Sequence, residues 1–190
     1  MSQKKGQLVV ISGPSGVGKS TICDEVIKQL ADAYLSVSIT TRPKAKEEID
    51  GQHYHFINRE EFDKMIVAGE FVEYAEVFGN LYGTPKENLD EAIRSGKTII
   101  LEIDVQGAIQ IKEQYPETKM IFILPPKQKD LLNRITGRGR DDKEEVKKRL
   151  AGASNEIAAA WQHYNNLVIN EHLNQAIKEV IHIIKEPIGE

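Results

Sequence analysis

The chain predicts an α/β fold: a P-loop NTPase-type parallel sheet core flanked by helices, with an inserted β-rich subdomain and a helical lid. Three observations carry this. Gly13-Pro14-Ser15-Gly16-Val17-Gly18-Lys19-Ser20 fits G-x-x-x-x-G-K-[ST] at every fixed position. Apolar strand-like runs alternate with helical spacings along most of the chain, the pattern of a parallel sheet covered by helices. Between about residues 35 and 83 that alternation gives way to several short strands in a polar setting.

The elements follow in order. Leu8-Val9-Val10-Ile11 is a continuous apolar run of the kind a strand buried on both faces needs. After the glycine-rich turn, Ile22, Val26, Ile27 and Leu30 repeat at helical spacing. Tyr34 to Ile39 reads as a second strand, and Thr40 to Gln52 as a polar loop over a site. His53 to Phe56 alternates as a short strand. Asn58 caps a helix over Arg59 to Ala68, with Gly69 as its stop. Phe71 to Val77 alternates again. Thr84-Pro85-Lys86-Glu87 has the form of a capping box with proline at the first helical position, so a helix is expected to begin there. Thr98 to Asp104 is an apolar strand ending in carboxylates, and Met120 to Leu124 another strand, stopped by Pro125-Pro126. Lys127 to Thr136 reads as helical, Gly137 to Arg140 as a break, and Asp141 to about Gln162 as a long polar helix. Leu167 to Ile169 is a last strand, and Leu173 to Ile184 a closing helix.

The bulk composition narrows the class of function. At 190 residues, 40% apolar and 28% charged, the chain has the make-up of one globular domain. A formal net charge of −4 argues against a nucleic-acid polymer as partner, because such surfaces carry a basic excess. No apolar run approaches the roughly 18 residues of a membrane span, and the first five residues lack signal-peptide character. The single cysteine, Cys23, has no intramolecular partner and reads as a small buried thiol. A cytoplasmic setting is the expectation, and oligomeric state is not legible.

The glycine-rich motif gives the chemistry. Its backbone N–H groups can turn inward around a phosphate, while the following helix offers its positive N-terminal end to the same anion. Lys19 can reach the β- and γ-phosphates, and the Ser20 hydroxyl can ligate Mg²⁺. The strand before and the helix after separate this from a glycine turn with a chance lysine. Glu102 and Asp104, at a strand's carboxyl end, can order Mg²⁺ through its water shell or hold a second substrate. Arg134, Arg138, Arg140 and Arg149 flank a glycine break, as suits a lid that closes its guanidinium forks on phosphates; a solvated basic helix face is the plainer alternative. His53 and His55 read as surface or packing residues rather than metal ligands.

Taken together, GPSGVGKST, SVSITTR, GQHYHF, EFVEYAEVFGNLYGT, ILEIDVQGA, ILPP, GRGRDD and LVIN resemble the guanylate kinase family across nearly the whole chain. The resemblance implies a core (1–34, 84–125 and 165–190), a GMP-binding subdomain (about 35–83) and a lid (about 126–164). It places guanine contacts on Ser38, Glu73, Thr84 and Asp104, and GMP-phosphate contacts on Arg42, Tyr54 and Tyr82. ATP would be held by Gly13, Pro14, Ser15, Gly16, Val17, Gly18, Lys19, Ser20 and Thr21 with Arg134, Arg138 and Asn170. Lys19, Arg138 and Arg149 would be catalytic, and Ser20 the metal residue, with Glu102 and Asp104 acting through water.

The implied reaction is ATP + GMP → ADP + GDP with Mg²⁺, extending to dGMP. Two alternatives remain at this level: a guanylate-kinase-like module that only binds, and a kinase for another monophosphate. One departure stands out. Ala45 occupies the place of a second phosphate-binding arginine, with Lys44 and Lys46 beside it as candidate substitutes.

Overall fold

β1 (Gln7–Ser12) is the axis of the computed structural model, which describes residues 6–127 and 143–187. It pairs in parallel with β7 (Thr98–Glu102) on one side and β8 (Lys119–Leu124) on the other. β2 (Ala33–Leu35) extends the sheet beyond β7, and β9 (Asn166–Ile169) extends it beyond β8, giving the all-parallel order β2-β7-β1-β8-β9.

Alternate residues of the sheet feed two cores, because successive side chains of a strand point to opposite faces. Val9, Ile11, Ile100, Ile121 and Ile123 pack with Ile22 and Val26 of α1 (Lys19–Gln29) and with Ile177 and Val180 of α6 (Leu173–Lys185). Leu8, Val10, Leu101, Met120 and Phe122 pack with Leu89 of α3 (Lys86–Arg94), with Ala108 and Ile111 of α4 (Val105–Gln114), and with Ala160 of α5 (Lys143–His163). Each fully buried Ile or Leu contributes about 1.5–3 kcal/mol. The stability of the frame therefore resides in these layers, and the strand ends are left to carry chemistry.

A second, four-stranded sheet has its own small core. β3 (Ile39–Thr40), β4 (His55–Phe56), β5 (Phe71–Val77) and β6 (Asn80–Pro85) lie in the order β4-β3-β6-β5, with β3 parallel to β4 and both β3 and β5 antiparallel to β6. α2 (Arg59–Ala68) covers it, and Phe62 stacks on Phe71 with ring centroids 4.4 Å apart. Asn58 is the expected N-cap of α2, where it also closes a capping box with Glu61, and Gly69 is the C-cap.

Three expectations are corrected. The run from Tyr34 to Ile39 is two strands in two sheets: the Ser36 amide makes a last bond to the Ile100 carbonyl (3.0 Å), and the chain then crosses over so that Ile39 pairs with β4 and β6. Hydrophobic spacing records burial, and both halves are buried or half-buried, so it cannot register a change of partner. Thr84 and Pro85 belong to β6 rather than to a helix cap, because the Thr84 hydroxyl is spent on Glu73 and the helix starts at Lys86. Asp104 does not prolong a strand: β7 stops at Glu102, and Asp104 is the N-cap of α4, a helix absent from the expected elements, with Oδ1 accepting from the Gly107 amide at 3.1 Å. The expected helix and glycine break at 127–140 fall almost wholly outside the described residues.

Candidate active site

One end of the candidate site is built from backbone. Gly18, at φ 102°, is the N-cap of α1 and makes no side-chain cap. The first turn of α1 carries no acidic residue, and its leading amides have no intrahelical acceptor, so it presents an uncontested positive end to an anion. A side chain at Gly18 would be strained at that φ, and its Cβ would lie 2.8 Å from Asn170 Nδ2. Asn170 is 5% exposed and donates to the Val17 carbonyl at 2.9 Å, bracing the loop from the core side. Lys19 Nζ folds back to donate to the carbonyls of Gly13 (2.5 Å) and Pro14 (3.3 Å). Ser20 Oγ donates to Glu102 Oε1 at 2.9 Å. Burial raises the Glu102 carboxyl above its ordinary range, while Lys19 and the Ser20 hydrogen bond oppose the rise.

The other end is built from side chains of the second sheet and the β7–α4 junction. Glu73 on β5 is only 3% exposed, and its Oε1 accepts from Thr84 Oγ1 at 2.6 Å across the β5–β6 pair. Its other face meets α4 at Gly107, where a Cβ would overlap the carboxylate. Burial pushes the Glu73 carboxyl up to about 7; Asp104 adds to the rise and Thr84 resists it. Asp104 itself is held by the Gly107 amide and by Gln106 Nε2, the latter at 3.2 Å.

Arg42 makes a forked pair with Glu48 (3.0 and 2.6 Å) and lies 5.5 Å from the Tyr54 ring centroid. Tyr54 in turn meets Tyr82 edge-on at 5.8 Å. The hydrogen bond to Arg42 holds the Glu48 carboxyl below its usual range, and the same bond raises the arginine. Burial raises the Tyr54 hydroxyl.

One cleft of about 770 Å³ joins the two ends. It brings together Gly13, Ser15, Gly16, Gly18, Lys19, Ser20 and Thr21 at one side, Ser38, Arg42, Tyr54, Glu73 and Tyr82 at the other, and Glu102 with Asp104 between. Val17 is fully buried in the core, Thr84 stands behind Glu73, and Asn170 stands behind the loop, so these three support the cleft rather than line it; Pro14 does not line it either. Arg134 and Arg138, and the side chain of Arg149 on α5, lie outside the described residues. Ala45 lines the cleft and its amide donates to Glu48 Oε2 at 2.7 Å; Lys44 is exposed and donates to the Glu48 carbonyl at 3.0 Å, and Lys46 is exposed.

Sequence reasoning missed three residues here. Glu156 on α5 lines the cleft, and burial, with Asp104 adding, raises its carboxyl to about 7 while Lys19 opposes. Its signal was legible: an acid between Ala153 and Ala160, both buried, sits on the apolar stripe of a polar helix. Glu48 was passed over because a carboxylate six residues from an arginine in a loop has no fixed geometry. Gly107 had no role of its own, since its close approach to Glu73 exists only in three dimensions.

A glycine-rich loop closing β1 of a parallel sheet, with lysine and serine at the start of α1, makes this a P-loop NTPase-type fold. The sequence matches the family model described as Guanylate kinase over residues 5–187. It is 49% identical over 177 residues to a guanylate kinase of Carboxydothermus hydrogenoformans, covering 93% of this chain and 86% of that protein. It is 47% identical to one of Clostridioides difficile, covering 97% and 89%. The crystal structure of guanylate kinase from Anaplasma phagocytophilum superposes with a TM-score of 0.83 at 34% identity, covering 97% of this chain and 87% of that one. The chain belongs to the guanylate kinase family.

Proposed function

We propose that the protein transfers the γ-phosphoryl group of ATP to the phosphate of GMP, and of dGMP, giving ADP and the nucleoside diphosphate. One cleft with a backbone phosphate cradle at one end, and with buried Glu73 and half-buried Asp104 toward the other, carries this reading. A phosphate oxygen of GMP attacks Pγ as the bond from Pγ to the β-phosphate bridging oxygen breaks. That oxygen is already anionic near neutral pH, so no general base is needed, and catalysis is positioning with charge stabilisation.

The geometry of the described residues supports these roles on the cleft, and the resemblance alone supplies those of the three arginines. The amides around Gly13 to Thr21 and the Lys19 ammonium hold the ATP phosphates, Lys19 exchanging the two loop carbonyls for phosphate oxygens. Ser38, Glu73 and Asp104 face the guanine, with Thr84 orienting Glu73. A carboxylate accepts from both N1–H and the exocyclic amine of guanine, a pair that adenine lacks, and a buried acceptor left unpaired rejects the wrong base. Arg42, Tyr54 and Tyr82 hold the GMP phosphate, for which Arg42 exchanges one prong of its fork to Glu48. Arg138 and Arg149 are assigned to the transferring group and Arg134 to ATP; residues 35–83 are read as the GMP-binding subdomain and 126–164 as the lid.

Mg²⁺ is the metal this site fits. Its donor set is a hydroxyl (Ser20) beside a carboxylate (Glu102), both hard oxygens, and among the described residues no group of three or more His, Cys, Asp or Glu forms a cage. An ion that keeps most of its waters and takes its other ligands from phosphates suits so sparse a set. When bound, it neutralises charge on the β- and γ-phosphate oxygens. Among the described residues no helix is long and apolar enough to cross a membrane; a cytoplasmic reaction is part of the proposal.

A coupled assay of ADP formation with GMP, dGMP, AMP and UMP as acceptors tests the reading. Turnover with GMP and dGMP far above AMP and UMP is the expected result. ADP formation with none of them would leave a module that binds without catalysing, and equal use of AMP would overturn the base assignment.

A further inference from the structure

Among the described residues β5 is an edge strand, with β6 on one side and no strand on the other. Main-chain groups of alternate residues along an antiparallel edge point away from the partner strand and need an acceptor or donor elsewhere. Here they meet three glutamines of α4. Gln114 Nε2 donates to the Val72 carbonyl at 2.7 Å and Gln110 Nε2 to the Tyr74 carbonyl at 2.8 Å, while Gln106 Nε2 reaches the Glu76 carbonyl at 3.5 Å. Gln110 Oε1 also accepts from the Tyr74 amide at 3.3 Å, so its side-chain amide pairs with both main-chain groups of Tyr74, as a neighbouring strand would.

The spacing explains why the contacts repeat. Four helical residues rise about 6.0 Å and two strand residues about 6.8 Å, so Gln114, Gln110 and Gln106 keep step with Val72, Tyr74 and Glu76 running the opposite way. The small mismatch accumulates along the series, and the last rung is the longest.

We propose that Gln106, Gln110 and Gln114 are positioning residues: a side-chain ladder that replaces the missing strand beside β5 and sets the Glu73 carboxylate against Gly107 for recognition of the acceptor base. This rests on the reading of Glu73 given above. Glu73 lies between Val72 and Tyr74, the two residues held by the shortest rungs. The ladder also reaches the second base-facing carboxylate, because Gln106 donates to Asp104 Oδ2. Both carboxylates thus take their place from one face of α4, a helix anchored in the main core through Ala108 and Ile111. The groups facing Glu73 are Thr84 from β6, Asp104 from the β7–α4 junction and the backbone of Gly107 from α4. Loosening the ladder opens that enclosure to water, and the carboxyl then titrates lower than the value of about 7 that burial gives it.

The test is Gln110→Leu/Gln114→Leu in the full chain, assayed with GMP, AMP and ATP between pH 5 and 8.5. The expected result is a rise of about tenfold in KM for GMP, part of the worth of the three hydrogen bonds to β5 that are lost. KM for ATP should stay within about twofold, and the acid limb of kcat/KM for GMP should move to lower pH. Gln110→Lys, which restores donation to the Tyr74 carbonyl, should recover part of the GMP affinity. Equal rises in both KM values, or an unmoved acid limb, would reduce the ladder to packing and overturn the proposal. If the double variant melts below the assay temperature, Gln110→Leu alone is read by the same criteria. A wild type that forms no ADP with GMP would instead remove the functional reading on which the proposal stands.

Discussion

In the proposed reading the two ends of the cleft solve the same problem, holding a nucleotide, in opposite ways. The phosphate end is contiguous: residues 13–21 supply it, and its donors are backbone amides and one lysine fixed by the strand–turn–helix itself. The acceptor end is assembled from distant segments. Ser38 precedes β3, Glu73 is on β5, Thr84 on β6, Asp104 caps α4, and Gly107 makes room for the carboxylate. Phosphates are common to all nucleotides and need only charge and N–H groups, which a local motif provides. A base needs a directional acceptor kept dry, which requires burial and hence long-range packing.

This contrast can be broken or sharpened by substitution. The largest effect is expected at the local end. Lys19→Ala should lower kcat by about 10²-fold or more, the order seen when a transition-state charge donor is removed. Circular dichroism should show an unchanged fold, since the Lys19 ammonium bonds loop carbonyls at the cleft. Near-normal turnover would show that the cradle works through its amides alone.

Next comes Glu73→Gln, which puts a donor or a neutral acceptor where an anion faced the guanine. We expect kcat/KM for GMP to fall about 10- to 100-fold, the worth of a charged hydrogen bond, with KM for ATP unchanged. Loss of ATP affinity to the same degree would mean that the two ends are not separable.

A pH profile sharpens the comparison further. With its carboxyl at about 7, Glu73 is protonated below that pH and ionised above it. Only the ionised form accepts two hydrogen bonds from guanine. Affinity for GMP should therefore be full above about pH 8 and fall through 7 as pH drops, approaching tenfold per unit well below it. The GMP phosphate loses its second proton near pH 6, so the limb belonging to Glu73 is the part that vanishes in Glu73→Gln. ATP affinity should show no limb at 7 if the phosphate end is as independent as its construction suggests.

The smallest expected effect is at Glu156, which is raised to about 7 and lines the same cleft as Lys19 and Asp104. Glu156→Gln removes a negative charge near Lys19 without breaking any hydrogen bond among the described residues. It should change KM for ATP by about twofold to threefold, the low end for a charge pair, because the two groups share no hydrogen bond among the described residues. A tenfold fall in kcat would make Glu156 part of the phosphoryl-transfer machinery and blur the division between the ends.

Much of this protein is legible in its sequence by itself. Residues 13–20 determine a phosphate-binding turn because every requirement, from φ at Gly18 to the helix start at Lys19, is met within one stretch. The core strands are legible for a similar reason: a run buried on both faces, such as Leu8 to Ile11, is apolar at every position. Asn58 and Gly69 bound their helix because capping acts over three or four residues. What only the tertiary structure decided depends on a partner far along the chain. Thr84 had the form of a cap, but its hydroxyl went to Glu73, a stronger acceptor eleven residues back. Tyr34 to Ile39 looked like one strand and was shared between two sheets. Asp104 looked like a strand end and became the cap of α4, the helix whose Gly107 abuts Glu73 and whose glutamines bond the backbone of β5. Local propensity fixes a residue's conformational options; which hydrogen-bond partner it takes depends on what packing brings within about 3 Å, and no sequence window contains that.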